Sequence, residues 1–401
     1  MTVYAHILGE TPVRLWGLSS RERLKRLLRQ AKVTHLVEDL GSIPDKNSVL
    51  ILRGDYLFDN RVIKDLVKCH NAILQVPAGK TRVTVAAHVP ASRAMQARAL
   101  LTETLPVDIM PDVRIETPDT LTVSFDDSLL KSDPSFVEHI ASENQKILEQ
   151  RLFSSSYKGV TDLVTKWLWP APAQWATRLC VRYGINPNQV TCLSLILVVL
   201  AGTLFAYGFY GWGLLMGWVM TFLDTVDGKL ARVTVTSSQF GHVLDKSLDI
   251  IHPPLWYIAW GLSLEAFKPP VPELSLQLML WLIVIGYIWG RAIEGVFQLW
   301  LGAFGIFCWR PIDSYFRLVT ARRNPCLILL TAGLTLGRPD LGLVAVAFWT
   351  LLSSGLLFMR LTLALYVRTT SGSLRSWLAD IDKGIYNGSM AARLFTGPAT
   401  S

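Results

Sequence analysis

The first part of the chain alternates short apolar runs with polar segments of helical period. The apolar runs predict strands at 34–37, 49–52, 72–76 and 83–89. The polar segments predict helices at 20–30, 60–69 and 91–102, the first of them capped by Ser19 or Ser20. Because strands here alternate with helices, the pattern predicts an α/β domain with a parallel sheet covered by helices.

Beyond residue 186 the apolar runs approach the length that crosses a bilayer, which is about 20 residues of helix. We predict six spans, at 190–209, 211–231, 242–264, 276–300, 323–337 and 341–366. The fifth is the shortest, and its start is the least defined. The chain is therefore predicted to be multi-domain, with a cytosolic α/β domain followed by an all-α membrane domain of six transmembrane helices.

This pattern divides the chain into four regions. They are an α/β domain at 1–150, an interfacial linker at 151–185, the membrane domain at 186–370 and a cytosolic tail at 371–401. The linker combines tryptophans with basic residues and is interrupted by Pro170 and Pro172. That mixture is typical of an amphipathic segment at the membrane surface, although a helix packed on the α/β domain is the alternative.

Composition and charge agree with a membrane protein. Hydrophobic residues make up 51% of the chain and charged residues 17%, with a net charge of +8. Lys and Arg concentrate in loop 301–323 and in the tail, which predicts that both face the cytoplasm together with the α/β domain. We predict a multi-pass protein of a bacterial inner membrane. Its excess of basic residues is explained by cytoplasmic loops and contacts with lipid headgroups, and not by nucleic-acid binding. The five cysteines lack metal-site or disulfide spacing and are interpreted as reduced packing residues.

Four carboxylates flank the predicted 232–241 loop. Asp224 and Asp227 are three residues apart, and Asp245 and Asp249 are four apart, so on helices each pair faces one way. Carboxylates at the edge of a membrane span are costly, which indicates a function. Four oxygen donors suit a hard divalent ion such as Mg²⁺ or Mn²⁺.

The spacing of these residues is similar to a known family signature. It reads Asp224-x2-Asp227-Gly228-x2-Ala231-Arg232-x8-Gly241-x3-Asp245-x3-Asp249, and it resembles the signature of the CDP-alcohol phosphotransferases at every position. The resemblance implies an enzyme of phospholipid synthesis. It implies transfer of a phosphoalcohol group, in this case phosphatidyl, from a CDP-linked donor to a hydroxyl of a small alcohol or its phosphate, with release of CMP.

The resemblance also implies roles for individual residues. The metal ligands for Mg²⁺ or Mn²⁺ are expected to be Asp224, Asp227, Asp245 and Asp249, with Asp249 also acting as the general base. The cytidine nucleotide is expected at Gly228, Ala231, Arg232 and Gly241, and at Asn188 and Thr191 where the first span begins. Family members resemble homodimers that pack through their spans.

Three arginines near the membrane are further candidates. Arg291 lies three residues from Glu294 in the fourth span, which favours either an internal ion pair or a contact with substrate. Arg322 and Arg323 lie where the fifth span begins, and they either bind an acceptor phosphate or anchor the span.

The α/β domain carries a weaker resemblance. Gly54-Asp55 after an apolar run resembles the metal-binding Gly-Asp of sugar-phosphate nucleotidyltransferases, but residues 8–15 contain one glycine where that family has a glycine-rich phosphate loop. We therefore predict a degenerate, non-catalytic domain. Ordinary turn and cap chemistry is the alternative reading of Asp55 and Asp59.

Other functions stay open at this point. The fusion of the two domains also resembles bifunctional enzymes that make di-inositol-phosphate phosphate from CDP-inositol and inositol phosphate. A cation transporter that uses the membrane carboxylates is a hypothesis of a different class. For the α/β domain, a docking or dimerisation role is the alternative to catalysis.

Overall fold

The computed structural model describes residues 2–104, 110, 112–237, 239–266, 268, 274–386 and 388–396. Within these ranges it does not describe the side chains of residues 239–246 and 382. The chain forms two compact units. The first consists of Met1–Ser124, Asp133–Ser155 and Val233–Thr236, and the second of Phe125–Ser132, Ser156–Arg232 and Ser237–Ser401.

The first unit is an α/β structure, as predicted. Its strands are β1 Val3–Leu8, β2 His35–Leu36, β3 Ser48–Arg53, β4 Tyr56–Phe58, β5 Ala72–Ala78, β6 Thr81–Pro90 and β7 Arg114–Glu116. Its helices are α1 Ser20–Gln30, α2 Asn60–Lys68, α3 Ala94–Leu101, α4 Pro118–Leu121 and α5 Gln145–Ser155. The side chain of Ser19 accepts a hydrogen bond from the N–H of Glu22, so the predicted cap of α1 is confirmed.

The prediction of a wholly parallel sheet is wrong. Among the described residues, six strands form one sheet in the order β2-β1-β3-β6-β5-β7, and β6 runs antiparallel to both β3 and β5. The reason is the short connection between β5 and β6, at Gly79 and Lys80, because a two-residue turn joins only antiparallel strands. Strand β1, which lies inside the sheet, was not predicted.

Helices cover both faces of this sheet. In β3, Leu50 and Leu52 pack in one apolar cluster with helices α1 and α2, whereas Val49 and Ile51 pack in another with α3. Alternate side chains of a strand point to opposite faces, so each face of β3 is buried under helix. The near-continuous apolar run at 49–52 is explained by this burial on both sides.

The first unit includes a segment from far along the chain, Val233–Thr236. Arg23 donates a hydrogen bond to the carbonyl oxygen of Val233 (2.6 Å), and Arg26 donates to that of Thr234 (2.7 Å). Val235 is buried in the cluster beneath α1 and has a positive φ of 53°. A β-branched residue is strained in that conformation, so the surrounding contacts hold the segment in place.

Gly54 approaches the backbone of Gly9 too closely for a side chain. A Cβ at Gly54 would lie 2.2 Å from the carbonyl oxygen of Gly9, while at Gly41 it would meet nothing nearer than 3.4 Å. We expect Gly54→Ala to destabilise the first unit by about 1–3 kcal/mol, the usual cost of overpacking. Faster hydrogen–deuterium exchange in β1 and β3 of the solubilised protein would show this. Equal exchange in Gly54→Ala and the matched Gly41→Ala would contradict it.

The second unit is mainly helical. Its elements are β8 Phe125–Asp126, β9 Lys131–Ser132, α6 Pro170–Arg182, α7 Pro187–Ala206, α8 Tyr210–Val233, α9 Gln239–Leu262, α10 Leu276–Val296, α11 Pro311–Val319, α12 Arg323–Thr335, α13 Pro339–Ser371 and α14 Met390–Thr396. A short strand of the first unit, β10 Val137–His139, pairs with β4. Helices α7, α8, α9, α10, α12 and α13 share one apolar core.

Three helical segments of the described chain are long and apolar enough to cross a membrane. They are Pro187–Ala206, Leu276–Leu301 and Pro339–Ser371. The other three predicted spans remain predictions, although each lies on a helix. Helix α12 has 13 residues and is therefore about 20 Å long, shorter than the roughly 30 Å hydrocarbon layer.

Candidate active site

Two of the predicted carboxylates converge on one guanidinium. Arg323, at the start of α12, donates from Nη2 to Oδ2 of Asp224 (2.5 Å) and from Nη1 to Oδ1 of Asp249 (2.6 Å). Asp224 lies on α8 and Asp249 on α9, and Arg323 is nearly buried. The structure thus brings together side chains of both halves of the motif. Asp245 and Gly241 lie on α9, and the side chain of Asp245 is outside the described part of the structure.

The third described carboxylate, Asp227, is held by the first long helix. Thr191 of α7 donates from its hydroxyl to Oδ2 of Asp227 (2.7 Å), and both residues are buried. Thr191 therefore contacts a carboxylate of the motif, while its predicted role in binding the nucleotide stays a prediction. Asn188, one turn earlier on α7, is exposed.

The glycine of the motif leaves space beside a basic side chain. A Cβ at Gly228 would lie 3.0 Å from Nη2 of Arg232, which is one turn further along α8. The guanidinium of Arg232 therefore lies over a helix surface that bears no side chain at that point. Ala231 and Arg232 are both partly exposed.

A second group of charges surrounds Glu294. Arg322 donates a hydrogen bond to Oε2 of Glu294, and Nη1 of Arg291 lies 3.5 Å from the same oxygen. The guanidinium carbons of Arg322 and Arg317 lie 5.3 and 5.6 Å from the ring centre of Phe307. We call Arg291, Arg317 and Arg322 the arginine cluster. Arg291 and Arg322 contact Glu294, and Arg317 lies close to Asp162, so three guanidinium groups face two carboxylates and leave an excess of positive charge that suits an anion.

Tyr287 lies between one arginine of the cluster and the backbone of α9. Its hydroxyl donates to the backbone carbonyl oxygen of Asp249 (3.2 Å), and the guanidinium carbon of Arg291 lies 5.1 Å from its ring centre. The arginine cluster is therefore next to the segment of α9 that carries Asp249. Sequence reasoning did not identify Tyr287, because a tyrosine in an apolar helix carries no motif of its own.

The start of α12 is fixed by a residue of the predicted linker. Asn324, next to Arg323, donates from Nδ2 to Oδ1 of Asp162 (2.9 Å) and to Oγ1 of Thr165 (3.2 Å). Burial favours the protonated form of Asp162, but the charge of Arg317 and the hydrogen bonds from Asn324 and Thr165 prevail, so its pKa is lowered. A charged Asp162 therefore holds the end of the helix that carries Arg323. Sequence reasoning missed both Asp162 and Arg317, because it read them as linker and as positive-inside charge.

The carboxylates fit a divalent cation by their chemistry. Carboxylate oxygens are preferred ligands of Mg²⁺ and Mn²⁺, and Asp224 and Asp249 already converge on one cationic group. No group of three or more potential ligands meets the geometry of a metal site among the residues whose positions are described. Asp245, the fourth predicted ligand, lies outside that set.

In the first unit, Asp55 and Asp59 make the contacts expected of turn and cap residues. Asp59 accepts from the N–H of Arg61 (2.9 Å) and caps α2. Asp55 forms an ion pair with Arg53 (2.7 Å). Burial tends to raise the pKa of Asp55, but the hydrogen bonds and charge of Arg53 outweigh it, and the pKa is lowered.

Comparison with known proteins agrees with this site. Residues 185–303 match the family model described as CDP-alcohol phosphatidyltransferase. The match over residues 185–303 confirms the resemblance of the carboxylate spacing to the CDP-alcohol phosphatidyltransferases and agrees with an integral membrane protein. The match includes all four aspartates and begins after the first unit's main segments.

Three relatives illustrate the similarity. A phosphatidylinositol phosphate synthase of Streptomyces avermitilis is 34% identical over 90 residues, which cover 20% of this chain and 36% of that protein. An archaetidylinositol phosphate synthase of Pyrococcus horikoshii is 37% identical over 82 residues, covering 20% and 42%. A phosphatidylinositol phosphate synthase of Mycolicibacterium smegmatis is 27% identical over 137 residues, covering 32% and 60%. The chain thus spans 36% to 42% of the length of the first two relatives.

Proposed function

We propose that this protein transfers a phosphatidyl group from CDP-diacylglycerol to a hydroxyl of a phosphorylated polyol and releases CMP. The observation that carries the proposal is the convergence of Asp224 and Asp249 on one cationic group inside a CDP-alcohol phosphatidyltransferase domain. The arginine cluster, which Tyr287 links to the backbone of Asp249, supports an acceptor that carries phosphate.

We assign two roles to the four carboxylates, metal binding and proton transfer. Asp224, Asp227, Asp245 and Asp249 would hold Mg²⁺ or Mn²⁺, which when bound neutralises charge on the donor pyrophosphate. Of the three described carboxylates, Asp249 has the most exposed side chain, at 44% against 19% for Asp224. We therefore assign Asp249 as the base that accepts the proton of the acceptor hydroxyl.

The CMP half of the donor is assigned to the surface of α8 and its neighbours. Gly228 and Ala231 allow the nucleotide to approach the helix backbone, and Arg232 can bind an anionic phosphate. Thr191 orients Asp227 through its hydrogen bond. Gly241 and Asn188 complete the proposed nucleotide site.

The acceptor phosphate is assigned to the arginine side of the site. Arg291 and Arg322 were candidates from the sequence, and Arg317 joins them because it lies over the same Phe307 ring as Arg322. Several relatives are named phosphatidylinositol phosphate synthases, which favours an inositol phosphate as the acceptor. Arg323, the third sequence candidate, is treated separately below.

The remaining assignments follow from the sequence. The excess of Lys and Arg in loop 301–323 and in the tail supports an active site that faces the cytoplasm of a bacterial inner membrane. The resemblance to the CDP-alcohol phosphotransferases supports a homodimer that packs through its spans. The turn and cap contacts of Asp55 and Asp59 support a non-catalytic first unit.

The test is an assay of CMP release by the purified full-length protein in detergent. With Mn²⁺ and CDP-diacylglycerol, we expect CMP to form with inositol phosphate, and to form much more slowly with inositol or after metal chelation. Asp224→Asn serves as the inactive variant. Absence of CMP release with every polyol phosphate tested, from protein that is folded and binds Mn²⁺, would overturn the proposal.

A further inference from the structure

Arg323 binds the carboxylate oxygens of Asp224 and Asp249, which a metal ion at this site would also use. Its two terminal nitrogens lie 2.5 Å from Oδ2 of Asp224 and 2.6 Å from Oδ1 of Asp249. Its Nη1 also lies 3.7 Å from the sulfur of Met220, and its Nε is buried without a hydrogen-bond partner among the described residues. The guanidinium is therefore held almost entirely by the two carboxylates.

The physical reason for this contact is charge compensation. Two neighbouring carboxylates repel one another unless a cation lies close by, and the need is greatest for Asp224, whose side chain is 19% exposed. Arginine meets it because it stays charged at any physiological pH. A divalent ion that binds the same two oxygens removes that need. Asp224 and Asp249 would hold that ion through the oxygens that Arg323 now binds, so the guanidinium would not keep both of its hydrogen bonds.

A guanidinium released from the carboxylates needs an anion in turn, because a buried charge without a partner is costly. Among the described residues, the carboxylates near the arginine cluster are already engaged, since Asp162 accepts hydrogen bonds from Asn324 and Thr165 and lies close to Arg317. Glu294 is already shared by Arg322 and Arg291, and the buried Nη1 of Arg317 has no hydrogen-bond partner in the described structure. A phosphate group would satisfy these donors and the released Arg323 together.

We propose that Arg323 exchanges partners during the cycle: it neutralises Asp224 and Asp249 in the cation-free enzyme and passes to the acceptor's phosphate when a divalent cation binds. The exchange makes cation binding and phosphate binding mutually favourable. By linkage, phosphate must then raise the affinity for the cation by the same factor as the cation raises the affinity for phosphate. The inference rests on the proposed phosphotransferase site.

The experiment measures binding and not turnover. Mn²⁺ affinity of the full-length protein in detergent is determined from the free Mn²⁺ signal in electron paramagnetic resonance, with and without inorganic phosphate. For the wild type we expect phosphate to tighten Mn²⁺ binding by about 5- to 150-fold, the usual range of such coupling. Arg323→Gln should bind Mn²⁺ more tightly than the wild type without phosphate, and phosphate should no longer change its affinity.

Two further variants distinguish the partner exchange of Arg323 from the general effect of removing a positive charge. Arg360→Gln removes an arginine from a comparable ion pair, with Asp313 (2.6 Å), elsewhere in the second unit, and it should keep the wild-type Mn²⁺ affinity and phosphate coupling. Arg323→Lys keeps the charge but cannot donate two diverging hydrogen bonds, so it should show intermediate coupling.

The outcomes distinguish this inference from the proposed function. Failure of the wild type to bind Mn²⁺ would contradict the metal site itself. Wild-type binding that is insensitive to phosphate, or weaker Mn²⁺ binding by Arg323→Gln, would refute the exchange while leaving the enzyme activity in place. The wild-type measurement decides the coupling even where Arg323→Gln does not yield folded protein.

Discussion

Replacing Asp249 by asparagine is expected to lower the rate of CMP release by about 10²- to 10⁴-fold, the usual contribution of a general base. The amide has the shape of the carboxylate but cannot accept the proton of the acceptor hydroxyl. CDP binding, by contrast, is expected to stay close to that of the wild type. The measurement is kcat from single-turnover CMP release, combined with the Kd for CDP from calorimetry in detergent.

The matched control for this prediction is Glu265→Gln, which makes the same chemical change at an exposed position between α9 and α10. It should keep full activity. Because Asp249 also accepts a hydrogen bond from Arg323, the variant is checked for folding by its thermal unfolding temperature. If Asp249→Asn lost CDP binding to the same extent as turnover, its role would be to hold the donor and not to move a proton.

Replacing Arg322 by glutamine should act on the acceptor and spare the donor. A hydrogen bond to a charged group contributes about 1.5–3 kcal/mol, so we expect the KM for inositol phosphate to rise about ten- to a hundredfold. The KM for CDP-diacylglycerol should change little. The decisive comparison uses inositol as a second acceptor, because the preference for the phosphorylated acceptor should shrink by the same factor in the variant.

A merely structural role of Arg322 would give a different result. Arg322 is hydrogen-bonded to Glu294, so its loss also disturbs that carboxylate. Such a disturbance would slow the reaction equally with both acceptors and lower the thermal stability. Arg368→Gln, at an exposed position near the end of α13, removes the same charge and should leave both KM values unchanged.

The sheet of the first unit shows which features were predicted from local sequence patterns and which were not. The apolar runs at 49–52, 72–76 and 83–89 located β3, β5 and β6, because buried strands need continuous apolar side chains. The direction of β6 and the presence of β1 were not predicted. The direction of β6 follows from the two-residue connection at Gly79 and Lys80, a local signal that was not used in the prediction. The place of β1 depends on its pairing with β3, which joins residues far apart in the chain.

The active site also combines features that the sequence predicted with a contact that it did not predict. Helical period alone determined that Asp224 and Asp227 share a face, and the fixed spacing of eight motif positions identified the family. The partner of these carboxylates was not predictable from spacing. Arg323 lies 99 residues from Asp224 and 74 from Asp249, and its sequence context indicated only a charge at the start of a span.

The sequence by itself determined the alternation of an α/β part with long apolar helices, the carboxylate motif and the excess of basic residues near the membrane. Those features are local, since propensity, hydrophobic period and charge act over a few neighbouring residues. Only the tertiary structure decided that Arg323 binds Asp224 and Asp249, that Asp162 holds Asn324, and that Arg317 joins Arg322. These contacts depend on how whole helices pack, because helix packing brings together side chains whose separation along the chain carries no information about their distance in space.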